Sequence, residues 1–132
     1  MTRINVIPVN ELSDQWLIAE YRELPRCVKQ DIDTSDAPQR YKLGAGHMKW
    51  AKAHSTWLMV RYLDICEEME YRGFTVNYPE SELYKVWDGI GNIYCVSAID
   101  ITTNRKRLIE KYKMKPDFYK WTNREKPKWL EI

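Results

Sequence analysis

Residues 48–72, MKWAKAHSTWLMVRYLDICEEMEYR, decide the fold class. Ser55, Leu58, Tyr62, Ile65 and Met69 recur at three- and four-residue intervals, the period of one face of an α-helix. Asp64, Glu67, Glu68 and Glu70 fall between them and read as the wet face. The spacing predicts one helix from about Met48 to Arg72, about 37 Å long at about 1.5 Å per residue. Leu43-Gly44-Ala45-Gly46-His47 enters it as a glycine turn. Gly73 followed by Phe74 closes it as a C-terminal cap with its hydrophobic contact.

Two more helices flank this one. Asn10 is placed to cap a first helix from about Glu11 to Glu23, with Pro25 closing it. Leu12, Trp16, Ala19 and Glu23 then share one stripe, and Leu17, Tyr21 and Leu24 form a second apolar flank. Glu23 thereby sits among apolar groups, where a solvated acid would face the other way. Thr102 or Thr103 could cap a third helix running to about Met114 and stopped before Pro116. Residues 29–40, with their Asp, Ser and Pro, read as a loop, and Asp88-Gly89-Ile90-Gly91-Asn92 as a turn. Ile93 to Ile101 alternates too poorly for a strand. The expectation is an all-α, compact single domain over residues 1–132, with three principal helices and long connecting loops.

A chain of 132 residues can bury a core without disulfides or metals. With 30% charged residues and no run near the roughly 20 apolar residues of a membrane span, a soluble protein is expected and a membrane partner is not. The amino terminus lacks the layout of a signal peptide. Cys27, Cys66 and Cys95 are odd in number and widely spaced, which favours reduced thiols and a cytoplasmic location. They read as small buried hydrophobes without metal-ligand spacing. His47 and His54 are seven positions apart, too far for a metal pair on their own. Gly44-x-Gly46 is too short for a phosphate cradle.

The net charge of +2 hides an asymmetry. Residues 105–128 hold ten Lys or Arg against three acids, whereas residues 1–104 hold eleven basic and fifteen acidic groups. Phe118, Tyr119, Trp121 and Trp129 interleave with the tail's Lys115, Lys120, Arg124, Lys126 and Lys128. A concentrated basic, aromatic segment suits a polyanion, although core packing by the rings and solvation of the lysines would also account for it.

The start of the chain adds a second line of reasoning. Met1-Thr2-Arg3-Ile4-Asn5, Glu11-Leu12, Asp14-Gln15 and the run Ala19 to Arg26 resemble the opening of the phage pyrimidine-dimer DNA glycosylases, the endonuclease V family. The Leu43–His47 turn, Arg72-Gly73-Phe74, Arg107-Leu108, Glu110-Lys111, Pro116 and Tyr119-Lys120 follow in order, so the likeness extends over nearly the whole chain. On residue types alone, Glu23 would be a helix-end acid, the arginines a solvated rim and Thr2 a second residue of no note.

The resemblance implies more. It makes the α-amine of Thr2, exposed by removal of the initiator methionine, the nucleophile, and Glu23 the acid/base group. It implies lesion and phosphate contacts by Arg3, Gln15, Arg22 and Arg26, phosphate contacts by Arg107 and Lys111, and a role for Phe118, Tyr119, Lys120 and Trp121. The implied activity is a DNA glycosylase with abasic-site lyase action at cyclobutane pyrimidine dimers in double-stranded DNA, with base extrusion. It needs no cofactor and no metal, and a monomer suffices. An α-amine has a reference pKa near 7.7–8.0, so roughly a third is free base at about pH 7.5, against about one part in a thousand for lysine.

Two departures stand out. Trp16 occupies the place of a histidine on the DNA-facing side of the first helix, which puts Trp16 among the expected DNA contacts. Asp31, Asp33 and Asp36 stand in a loop that the family fills with Lys and Arg, which should weaken phosphate binding. They keep two alternatives open: the same mechanism on another damaged or modified pyrimidine, and a non-catalytic homologue that binds DNA damage.

Overall fold

The computed structural model describes residues 4–77 and 92–131. Among them are four α-helices and no strand: α1 (Asp14–Lys29), α2 (His47–Ala53), α3 (Ser55–Tyr71) and α4 (Ala98–Met114). Short 3-10 turns lie at Val9–Glu11, Pro116–Phe118 and Lys128–Leu130. The described residues are all-helical, as expected. Thr2, Arg3 and most of the 88–92 turn lie outside the described residues. No helix among the described residues is long and apolar enough to cross a membrane.

The first helix differs from expectation at both ends. Asn10 belongs to the 3-10 turn, and Ser13 caps α1 instead by accepting from the Trp16 amide at 3.1 Å. Pro25 lies inside the helix. An interior proline costs about 3 kcal/mol. Beyond it, however, Cys27 and Val28 are buried, and burying a side chain of this size returns about 1.5–3 kcal/mol. Lys52 from α2 then donates to the carbonyls of Val28 and Gln30, closing the end of α1.

The long second helix is two helices. His54 breaks it at φ −112°, ψ 48°. The ring Nδ1 takes the Trp50 carbonyl at 2.7 Å, while the His54 amide turns back to Ala51 at 3.1 Å. The side chain thus captures the oxygen that the helical ladder would have used. The expected stripe survives on α3, where Leu58, Tyr62, Ile65 and Met69 are buried. Gly73 ends it at φ +87°, with Phe74 N–H bonding Met69 O at 2.9 Å. The last helix begins four residues before Thr102, at a capping box between Ser97 and Asp100, and stops at Met114 as expected.

The core gathers Leu17, Leu24 and Val28 of α1 with Trp50 of α2, Leu58 and Ile65 of α3, and Leu108 of α4. Through it runs the amino-terminal segment, with Ile4 and Ile7 fully buried. None of the three cysteines forms a disulfide; Cys27 and Cys66 are buried and Cys95 is exposed.

Candidate active site

At about 100° per residue α1 presents two arcs. Leu17, Glu20, Leu24, Cys27 and Val28 make the buried one. Gln15, Trp16, Ala19, Arg22, Glu23 and Arg26 make the other, and all six line a cleft of ≈ 470 Å³. Asn5, Glu20, Leu108, Lys111, Phe118 and Tyr119 complete its wall. The volume is within the range of small-ligand pockets. Helix α1 has to continue past Pro25 for Arg26 to reach this face.

Eight residues singled out from the sequence therefore meet in one place: Gln15, Trp16, Arg22, Glu23, Arg26, Lys111, Phe118 and Tyr119. Arg107, Lys120 and Trp121 do not line it. Arg107 pairs with Glu110 at 3.2 Å, and Trp121 donates its indole N–H to the Glu11 carbonyl at 3.0 Å. Lys120 acts through its main chain, donating to Gln15 Oε1 at 3.0 Å and accepting from the Asp14 amide at 2.7 Å. Thr2 and Arg3 are outside the described residues.

Glu23 is half-buried at the cleft and 3.2 Å from Arg26, whose side chain is 68% exposed. Lys111 is the partly buried cation of the opposite wall. Burial, and then the neighbouring Arg107 charge, push its pKa below the ordinary lysine value. Trp16 packs against Tyr119 with ring centroids 4.6 Å apart and meets Trp121 edge-on at 6.1 Å. Its indole N–H is buried with no acceptor among the described residues.

Four residues escaped the sequence reading: Asn5 and Glu20 in the cleft wall, and Arg61 and Asn104 bonded to them. Glu20, with its side chain fully buried, accepts from Arg61 at 2.7 and 3.1 Å and from Asn5 Nδ2 at 2.9 Å. Asn104 Nδ2 donates to Asn5 Oδ1 at 2.8 Å, and Asn104 Oδ1 accepts from the amides of Val6 and Ile7 at 2.7 and 3.1 Å. Arg61 also donates to the Ile7 carbonyl at 2.5 Å. The network seats Asn5 in the cleft wall. One signal was available: in a helix continued to Lys29, Glu20 shares an arc with Leu17, Leu24 and Cys27. No comparable pattern marks Asn5 or Asn104.

Among the described residues no group of three or more His, Cys, Asp or Glu is disposed to hold a metal ion. A profile of the pyrimidine dimer DNA glycosylases matches residues 1–81. The chain belongs to that family. As a pyrimidine dimer DNA glycosylase family member it is a DNA repair glycosylase whose substrate is DNA. The matched span carries the whole α1 face of the cleft. The opposite wall, from Leu108 to Tyr119, lies beyond it.

Proposed function

We propose that the cleft binds a damaged pyrimidine nucleotide of duplex DNA, removes its base through an imine to the Thr2 α-amine, and then nicks the strand. The observation that carries this reading is that Glu23 and Asn5 line one cleft. A peptide chain covers at most about 3.6 Å per residue, so covalent geometry keeps the Thr2 amine within about 11 Å of Asn5. An amine and a carboxylate at one deoxyribose are what the chemistry requires.

In the proposed sequence the free amine attacks C1′, the C1′–base bond breaks, and the base leaves with a proton. The C1′–O4′ bond then breaks, the ring oxygen takes up a proton from solvent, and the protonated imine results. The imine acidifies the C2′ hydrogen. Glu23 removes that proton, the C3′–O bond breaks, and the 3′ phosphate departs; water then frees the amine. Arg22 and Arg26 carry positive charge for the lesion phosphates. Arg107, Lys111 and Lys120 extend it along the backbone, and Phe118 and Tyr119 offer stacking surface for an extruded base.

Borohydride trapping tests the mechanism. Lesion-containing duplex should become covalently linked to the residue-2 amine, and mass spectrometry of the free protein should show Met1 removed. Glu23→Gln should bind the same duplex while strand scission falls by at least about 10²-fold, the scale of a lost general base. Undiminished scission would remove Glu23 from the mechanism.

Trp16 favours a second reading within the same chemistry. An indole that lines the cleft and packs on Tyr119 offers an apolar, uncharged wall. Such a wall suits a damaged or modified pyrimidine other than the cyclobutane dimer. Matched duplexes carrying a dimer, an abasic site or a modified pyrimidine separate the two by their relative rates.

A further inference from the structure

The main chain at Ile4 is held from both sides by two aromatic rings of the 41–47 segment. Its N–H donates to His47 Nε2 at 3.1 Å, and its carbonyl accepts from the Tyr41 hydroxyl at 3.2 Å. The other His47 nitrogen, Nδ1, lies 2.8 Å from the Lys42 carbonyl oxygen. A carbonyl can only accept, so Nδ1 carries the proton and Nε2 is the bare acceptor that Ile4 needs. One neutral tautomer satisfies both contacts. The imidazole is itself fixed: it is 4% exposed, it stacks on Trp50 at 5.9 Å between ring centroids, and Tyr41 meets it edge-on at 5.8 Å.

Apolar burial alone would hold this segment in the core, since Ile4 and Ile7 are both fully buried. Hydrophobic contact is non-directional, however. A hydrogen bond to the Ile4 N–H is directional, and that N–H lies in the plane of the peptide joining Ile4 to the residue before it. The His47 bond therefore fixes the direction of the main-chain N–H on the amino-terminal side of Ile4. Asn104 and Arg61 hold the other side, binding the Val6 and Ile7 main chain.

We propose that His47, seated by Tyr41, is a positioning residue for the reaction: it aims the amino terminus at the reacting sugar carbon. The proposal rests on the reading of the Thr2 amine as nucleophile. His47 touches no substrate. It acts through the Ile4 peptide, and misplacement by about 1 Å can cost about 10²-fold in rate.

Single-turnover borohydride trapping on a preformed abasic-site duplex tests this, paired with the dissociation constant for a duplex carrying a non-reactive tetrahydrofuran abasic analogue. His47→Phe keeps the ring packing and removes both polar contacts; trapping should slow by about 10- to 100-fold with the dissociation constant changed by less than about twofold. His47→Gln supplies an amide oxygen for Ile4 and should recover most of the loss. Tyr41→Phe removes one hydroxyl from a folded protein and should slow trapping in the same direction by a smaller factor. Ile65→Ala in the α3 core serves as a control of lowered stability and should trap at the wild-type rate below its melting transition. Equal trapping by wild type, His47→Phe and Tyr41→Phe overturns the proposal, as does an equal slowing in Ile65→Ala. A wild-type adduct that maps away from residue 2 overturns instead the reading on which it rests, so the two failures are told apart.

Discussion

Glu20 and Glu23 stand three residues apart on α1 and meet different surroundings. The Glu20 side chain is fully buried and takes two bonds from Arg61. Glu23 faces the cleft, and its neighbour Arg26 is largely solvated. An exposed pair such as Arg26–Glu23 is worth about 0–1 kcal/mol, so Arg26 can turn to a phosphate at little cost. The buried pair behaves otherwise. Arg61→Met leaves the Glu20 carboxylate in the core with Asn5 as its remaining partner and should destabilise by about 3–5 kcal/mol in urea denaturation. The double variant Arg61→Met with Glu20→Gln removes the stranded charge and should be more stable than Arg61→Met alone. A double variant that loses the sum of the two single changes would show that the residues do not act as a pair.

At the scale of elements, the glycine turn before α2 sets up His47. Gly46 caps that helix at φ +88°, and a Cβ there would meet Pro38 Cγ at 3.0 Å. Gly46→Ala should therefore cost more than about 1 kcal/mol by denaturation; an unchanged midpoint would mean that the turn can reshape. This turn, the Gly73–Phe74 cap and the end of α4 at Met114 were legible because each depends on local residue chemistry. So was the α3 stripe, a matter of periodicity. The break at His54 was not, since periodicity is blind to a side chain that captures its own helix's carbonyl. Pro25 misled because a local breaker was weighed without the burial of Cys27 and Val28 beyond it. On the cleft face of α1, spacing placed Trp16, Ala19 and Glu23 on one stripe and the family resemblance alone supplied Gln15, Arg22 and Arg26, whereas Asn5 and Asn104 meet across 99 positions of sequence and leave no local trace.

Across the whole molecule, three of the tail's ten basic side chains are held in ion pairs among the described residues. Arg105, Arg107 and Arg124 pair with Glu11, Glu110 and Glu68. Arg22, Arg26 and Lys111 line the cleft. If Arg26 neutralises one phosphate, Arg26→Ala should lower DNA affinity and reduce the slope of log affinity against log salt by about one. An unchanged slope would take Arg26 off the backbone. Glu68 has a different role, because it ties the tail to α3 and α1. It accepts from Arg124 at 2.9 and 3.0 Å and from Arg72 at 2.8 Å, and Arg72 reaches Asp14 at 2.9 Å. Burial by itself would raise the Glu68 pKa, but the Arg124 and Arg72 bonds and charges outweigh it and hold the group below its ordinary value of 4.5. A carboxylate depressed in the folded state stabilises fully above its unfolded pKa, and that contribution is lost as pH falls through the folded value. The melting temperature of the wild type should thus hold from about pH 7 to about 5 and fall below about 4.5. Glu68→Gln should melt lower at pH 7, with the gap to wild type narrowing in acid as the wild-type carboxylate protonates. A gap that stays constant from about pH 7 to 3 would show that the Glu68 charge contributes nothing to fixing the tail.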